Sequence, residues 1–550
     1  MIESFDVVVA GGTPAGCAAA VRAARGGCRV LLTHHTRHLG GMCANGLGQW
    51  DAKSDHRRCP FFSEILDRIE THYRELYGAD SPEHRAAQYR VDRFPVGCFE
   101  PSVAERVFTE LVAATPRLTV WLGIYPEAAT VREGRIEAVT FGAMDGSAAR
   151  RVLARYWVDA TYEGDLLAAA GAPYRVGREG HDEFGEPHAG VLFTQIEPQP
   201  SPSLAIQKVL NLVPFGLRQG ACDPASPRTA DRAVQAYNLR ACVCRDPARR
   251  ILLDRPPEGY DRTEFLTYTR RALTISCDLN GKNSYNAPIL PGENWDYPEG
   301  DWDTRARIAE RHRDFALGLM WFLQNDESVP PPARERFRAW GLPSDEFEDN
   351  GHLPWEIYVR EARRLVGRHV LTENDLLPRP GLMRPRPFPD SVAFTDWYMD
   401  SHSCRRDLGT WGDQPGVVGS PDYPYDGKLI LTEEFRPGQV PYRSLVCDAV
   451  HNLIVPVCAS ATHVAWGSIR LEPIWIHLGE VAGFACLQAL TRQEALNALD
   501  VTCLQKTLLD AGVAIAFFNQ HRQAADRRDY AERQLAVGHG EWDSYDLDHP

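Results

Sequence analysis

Several things are missing from this sequence, and each removes a class of function. There is no Cys-x-x-Cys, and no second strand, glycine turn and helix signature follows the first, which argues against a dithiol reductase with its own nicotinamide-nucleotide domain. No block of Lys and Arg stands out in a chain of formal net charge -14, so a nucleic-acid partner is not expected. No uninterrupted apolar run reaches about 18 residues, the length that spans a bilayer. Even 473–490 carries His477 and Glu480. The N-terminus lacks a basic n-region and a cleavage pattern, because its apolar start reads as a strand. The expectation is a cytoplasmic chain without membrane contact. The 14 cysteines are scattered, and Cys242-Val243-Cys244 has no second pair to complete a zinc site, so mostly reduced thiols and no metal are expected.

What is present is organised around the opening residues. Phe5-Asp6-Val7-Val8-Val9-Ala10 is an apolar, β-branched run that ends in Gly11-Gly12-Thr13-Pro14-Ala15-Gly16, and Ala18-Ala19-Ala20-Val21 follows. That pattern predicts strand, tight turn and helix, with the helix N-terminus aimed at a phosphate and small residues letting it lie close to a sheet. Arg29-Val30-Leu31-Leu32-Thr33 completes a βαβ unit. Two features depart from the usual dinucleotide signature. Thr13 stands at the middle glycine, and His34-His35 stands where an acidic residue would hold a ribose. A second glycine pair, in Thr36-Arg37-His38-Leu39-Gly40-Gly41-Met42, would let the chain pass a bulky ring system without Cβ clashes.

At 550 residues the chain exceeds one ordinary core, so two intertwined domains are expected. Residues 42–51 read as a Gly-rich loop lining a cavity, 61–76 and 100–112 as amphipathic helices, and 119–122 as a strand. Alternation at 128–131, 135–141 and 151–158 predicts an antiparallel meander. Next, a strand ends in a polar turn holding Asp159, Ala160, Glu163 and Asp165. This suits close approach to a cofactor, although acids at a helix start are also ordinary. From 201 to 439 the character changes to Pro, Trp and charged residues. Here 303–325, 332–340 and 356–371 look helical, and Arg360, Arg363, Arg364 and Arg368 read mainly as a solvated face. Residues 452–457 form a strand, 460–470 a polar loop holding His463, and Glu472-Pro473 opens a buried helix, where proline's missing N–H would be unpaired anyway. A charged tail with some helical pattern fills 500–550. The expected architecture is α/β. A Rossmann-like domain with a central parallel sheet and antiparallel meander comes from 1–200 and 440–499, and a mixed α+β substrate domain, 201–439, is inserted in it.

With these stretches in place the sequence resembles, across nearly its whole length, the FAD-dependent oxidoreductase family, whose members are labelled by that cofactor or as "xanthan lyase". The resemblance is carried by 11–16, 36–42, Phe99-Glu100-Pro101, 159–165, Asn294-Trp295-Asp296-Tyr297-Pro298, 322–326, Asp349-Asn350-Gly351-His352, 358–364, Met399-Asp400-Ser401-His402, 441–445 and 460–473. It implies FAD in a glutathione-reductase-like fold, with the cofactor held by 11–16, His34, Arg37, His38, Gly40, Gly41, Met42, Asp159, Ala160, Glu163, Asp165, Glu472 and Pro473. It implies no particular substrate. The family usually carries a carboxylate where His34 stands, and Cys43 and Ala44 also depart from its more common residues.

A flavin needs positioning, a charge or dipole beside N1/C2, and a group that moves the substrate proton. The amides at the Glu472-Pro473 helix start suit the second need. For the third, His402 and His463 stand out because each lies in a polar stretch and imidazole titrates near neutrality; loop capping is the alternative for both. Arg443 and Arg470 would orient a substrate carboxylate or hydroxyls, or else hold flavin and loops. His38 is a candidate for covalent attachment to the flavin ring. Trp50, Trp295, Trp302 and Trp397 suit either stacking on a ring or a core role. The expected reaction oxidises a C–H bond at an alcohol or amine carbon of a polar, sugar-like small molecule by hydride transfer to flavin N5, with electrons leaving to oxygen or another acceptor. Reduction of an activated C=C bond is the alternative within enzymes, and a non-catalytic or RNA-modifying flavoprotein the alternative outside them. Homo-oligomerisation is compatible with the sequence.

Overall fold

The computed structural model describes residues 3–90, 96–199, 207, 209–268, 277–286, 288–405, 425–520 and 527–550. Val7, Val8, Val9, Leu31 and Leu32 follow one another without a polar break because their strands are covered on both faces. Strand β1 (Glu3–Ala10) pairs in parallel with β2 (Val30–His34), and β2 with β3 (Leu118–Leu122). The hairpin β4 (Ile124–Arg132) and β5 (Arg135–Ala143) runs antiparallel along β6 (Arg150–Asp159), which returns in parallel beside β1. The short β7 (Leu453–Ile454) extends the parallel part from the far end of β6. The result is a mixed sheet in the order β3-β2-β1-β6-β5-β4, with β7 also on β6.

Register fixes where the loops emerge. Ala10 is opposite Thr33 on one side and Asp159 on the other. Gly11, His34 and Ala160 therefore leave the sheet side by side at its carboxyl edge, beside the strand where the order reverses, which is where open α/β sheets bind ligands.

Helix α1 (Pro14–Arg25) follows β1 and packs along α3 (Glu472–Arg492). The approach is close because a Cβ on Gly479 would lie 2.2 Å from the Ala15 carbonyl oxygen. A part-buried ion pair, Arg22 Nε to Glu480 Oε1 at 2.8 Å, ties the two helices, and Glu480 Oε2 accepts the Phe61 amide. By length and composition α3 is apolar enough to cross a membrane, and 78% of its apolar window is buried inside the protein.

Two expectations about elements are corrected. Residues 356–371 are not a helix: the chain is extended, Tyr358 bridging Asn238 and Arg364–Leu365 pairing with Tyr174–Arg175. Arg360, Arg363 and Arg364 face inward, where carbonyls and carboxylates hold them, while Arg368 is exposed as expected; Arg364 donates to the Ala461 carbonyl at 2.7 Å and Glu179 at 2.9 Å. Residues 460–470 are not a loop but contain α2 (His463–Ile469), capped by the Thr462 hydroxyl. The C-terminal residues carry helices at Val501–Asp510 and Tyr530–Gly538 and pack onto the rest of the chain: Arg384 donates to the carbonyl groups of Phe517 and Ser544, and Tyr545 to that of Pro437. Cys98 and Cys277 form a disulfide, while Cys242 and Cys244 remain buried thiols. The expected domain boundary at 200/201 lies outside the described residues.

Candidate functional site

The turn after β1 is built by contact. A Cβ on Gly16 would sit 1.8 Å from the Gly11 carbonyl oxygen, and one on Gly11 2.4 Å from the Ala160 carbonyl. Thr13 caps α1 by accepting the Gly16 amide at 3.2 Å, and its hydroxyl donates to the Ala160 carbonyl at 2.8 Å. The residue in place of the middle glycine thus locks the turn to β6. No acid occupies the first turn of α1, so no carboxylate of its own offsets the positive end of the helix dipole. Asp159 braces the neighbouring turn: its oxygens accept from the amides of Thr161 and Leu167. Asp165 pairs bidentately with Arg305 and accepts one further hydrogen bond from Arg363.

At the end of β2 the missing acid has a substitute. Glu356, from the extended 356–371 segment, places its carboxylate 3.6 Å from His34 Nε2 and 3.3 Å from His35 Nε2. Asn45 fixes it, accepting the Trp355 and Glu356 amides while its own amide donates to Glu356 Oε2 at 2.9 Å and to the Gly41 carbonyl. Burial, then His34, lowers His35 to about 4, so its ring is neutral near pH 7. Burial opposes ionisation of Glu356, but His34 and His35 outweigh it and its pKa is lowered. His38 is otherwise engaged: Nδ1 meets Glu105 at 2.6 Å, Nε2 meets Asp349 at 3.0 Å, and the ring stacks 3.4 Å over Trp355. Arg37 is exposed.

Where α3 begins, Glu472 is buried and accepts the Tyr162 hydroxyl at 2.5 Å, which itself accepts the Met42 amide at 2.9 Å. This chain links the second glycine pair to α3. Burial pushes Glu472 up to about 8, so it is largely protonated at neutrality. Glu163, also buried and raised to about 8 chiefly by burial, accepts the Tyr297 hydroxyl at 3.3 Å.

Beyond these residues lies a cationic nest around Tyr358. The Arg360 guanidinium stands 4.4 Å and that of Arg240 5.7 Å from its ring centre, and Arg470 donates to its hydroxyl at 3.3 Å. Arg470 also donates to Asp400 at 3.0 Å, Lys428 Nζ lies 3.6 Å from the same carboxylate, and Arg240 lies 3.6 Å from Asp51. Topology explains the assembly. Strand Met399–Ser401 pairs with Leu429–Leu431, carrying Lys428 to Asp400, and α2 lies flush on it because Gly467 has no Cβ to meet the Asp400 backbone. Four cations thus share two carboxylates. Burial, with Arg470 and Arg240 nearby, lowers Arg360 to about 9. The same causes, burial first and then Arg360, Lys428, Arg470 and Arg240, hold His402 well below the ordinary histidine value, so it is a neutral acceptor at neutrality.

His463 is sealed. Its Nδ1 lies 2.8 Å from Glu361, its Nε2 3.1 Å from the Ser401 hydroxyl, and all three residues are buried. It steadies the residue next to His402. Arg443 is half-exposed and paired with Asp390 at 2.9 Å. Of the four residues given catalytic roles, the nest therefore gathers His402 and Arg470. Sequence reasoning gave no role to Glu356, Tyr358, Arg360, Arg240, Asp400 or Lys428. Tyr358, Arg360 and Asp400 lie inside stretches that carry the family resemblance, which was their one signal. Trp50 packs against Phe62 and Phe99 in the core, and Trp397 stacks on Tyr398 beside Lys53.

The residues fit an adenine dinucleotide. The phosphate turn is a cradle that a Cβ would fill, and three buried polar atoms along the site, His34 Nε2, Glu472 Oε2 and Arg360 Nε, have no hydrogen-bond partner. The family model described as FAD dependent oxidoreductase matches residues 6–508. Among solved structures, THI4 of Thermovibrio ammonificans is 18% identical over 32% of this chain and 66% of that one, with a TM-score of 0.23. OxyS anhydrotetracycline hydroxylase from Streptomyces rimosus is 20% identical over 36% and 37%, TM-score 0.23. L-proline dehydrogenase from P. horikoshii is 19% identical over 33% and 26%, TM-score 0.18. The matched part thus spans less than two thirds of each of these chains.

Proposed function

The chain belongs to the FAD dependent oxidoreductase family, with FAD as its cofactor, and from that premise we propose that it oxidises a C–H bond beside a hydroxyl or amine in a small polar molecule that carries an acidic group. The observation that supports this most is the excess of positive charge around Tyr358: buried Arg240, Arg360 and Arg470 with half-buried Lys428, against Asp51 and Asp400. Buried cations without full compensation are costly, and an anionic ligand removes that cost.

FAD would lie along the 11–16 turn, Ala160, Gly40-Gly41 and the start of α3, and when bound it supplies the acceptor for the electron pair of the broken C–H bond. Arg360, whose Nε is unpartnered, and Arg470 grip the substrate carboxylate. His402 accepts the hydroxyl or amine proton. An incoming anion offsets the surrounding cations and raises the His402 pKa toward neutrality, so the base strengthens when substrate is present. Tyr162, hydrogen-bonded to protonated Glu472, keeps a neutral donor system at the start of α3. His463 and Ser401 hold the His402 segment in place.

The same lowered Arg360 pKa, about 9, supports a second reading, in which Arg360 gives a proton to an activated C=C bond reduced at the expense of an external donor. Anaerobic mixing separates the two. Loss of flavin colour on adding hydroxy or amino acids supports oxidation, whereas reoxidation of reduced protein by enoates, with no colour loss from the acids, supports reduction.

A further inference from the structure

We infer that Glu356 is the carboxylate that accepts the hydroxyl groups of the adenosine ribose of FAD, supplied from a distant segment because β2 ends in histidine. This rests on FAD as the cofactor and is independent of the substrate reading.

The residue at the end of β2 lies beside the phosphate turn: a Cβ on Gly12 would be 2.9 Å from His34 Cβ. In the dinucleotide fold this is the place from which an acid reaches the ribose. His34 and His35 cannot replace it as a pair of hydroxyl acceptors with negative charge, and both turn toward Glu356 instead. The Glu356 side chain is only 8% exposed, and it is delivered with precision of aim. Trp355 stacks on His38 and its indole donates to Asp349, which clamps the incoming loop onto the turn after β2. Asn45 binds the backbone on both sides of the carboxylate and one of its oxygens.

The carboxylate keeps capacity for a ligand. Oε2 accepts from Asn45 and Oε1 faces His35, while an ionised carboxylate offers about four acceptor positions. His34 Nε2 stands 3.6 Å from Oε2, so at least one position stays open to a ribose hydroxyl. His34 Nε2, buried and without a hydrogen-bond partner, points to the same place. Two histidines and a glutamate with ligand atoms within 4.8 Å of one another would also suit a divalent metal, and the test decides between the two.

The experiment measures FAD binding to the flavin-free full chain by quenching of flavin fluorescence, using FAD and analogues lacking the adenosine 2′- or 3′-hydroxyl. The natural protein is expected to bind the deoxy analogues about ten- to hundredfold more weakly, the range for a charge-assisted hydrogen bond. Glu356→Gln is expected to weaken FAD by a similar factor and to bind FAD and the deoxy analogues alike. His34→Glu in a Glu356→Ala background is expected to restore discrimination. Equal binding of FAD and deoxy analogues by the natural protein, or undiminished discrimination in Glu356→Gln, would overturn the inference. So would one equivalent of divalent metal in the purified protein that disappears in Glu356→Gln and His35→Ala. The analogue comparison on the natural protein needs no variant to fold.

Discussion

Arg360 and His402 carry the proposed chemistry at the scale of single residues, and they were unequally visible in the sequence. His402 could be picked out because a histidine in a polar stretch has few apolar neighbours to explain it. Arg360 could not, because charged residues at helical spacing ordinarily face water, and only the tertiary fold shows that Ala236 and Asn286 hold this one inside at 2.7 and 3.0 Å. Replacing Arg360 with Met is expected to weaken binding of an acidic substrate by about tenfold or more, with little effect on its uncharged amide, as judged from the concentration giving half-maximal flavin reduction. His402→Asn is expected to slow flavin reduction by about 10²–10⁴-fold, measured by stopped flow, while leaving FAD content unchanged. Protonation disables the base, and burial with the surrounding cations holds its pKa below the usual value. The kcat/KM profile, which reports the free enzyme, should therefore stay flat down through pH 6.5 where an ordinary histidine would already fall. The kcat profile, which reports the substrate complex, should turn down at higher pH because the bound anion raises the same pKa.

The elements were legible where period and punctuation agreed. The βαβ unit and meander were readable because valine-rich strands and small-residue helices have distinct periods. The segment 356–371 failed because Ile357, Ala362, Leu365 and Val366 fall at helical spacing by coincidence, while cross-chain pairs with Asn238, Tyr174 and Arg175 fix an extended backbone. Residues 460–470 failed because polar composition masked the Thr462 cap and a helix buried along its length. Two predictions belong to α3. Gly479→Ala forces a Cβ against the Ala15 carbonyl, and a loss of about 1–3 kcal/mol is expected in denaturant unfolding. His477, lowered to about 3 by burial and then by Arg58, is neutral in the folded state. As pH falls below about 6.5 the unfolded chain gains a proton there and the folded chain does not, so stability is lost by about 1.4 kcal/mol per pH unit. His477→Phe removes that loss. The difference between variant and natural protein should therefore shift in the variant's favour by about 2 kcal/mol from pH 7 to pH 5.

For the whole molecule, Glu356 meets His34 at the sheet edge, Tyr162 reaches Glu472 at the start of α3, and Arg470 joins Tyr358 to Asp400, so the site is assembled from widely separated stretches. That is why the cofactor could be read from the sequence and the cationic nest could not. The cofactor motif is local, whereas the nest exists only after long-range packing. Both His38 nitrogens lie against carboxylates, so FAD is expected to be non-covalent, and acid denaturation should release all of the yellow colour into the supernatant. The central claim is an FAD enzyme built to oxidise an acidic substrate, and anaerobic titration of the FAD-loaded protein with matched pairs of hydroxy or amino acids and their uncharged amides tests it most directly. The account predicts that the acids reduce the flavin at concentrations about tenfold lower or better and that Arg360→Met erases the difference. Equal reduction by the amides, or reduction by neither set, would contradict it.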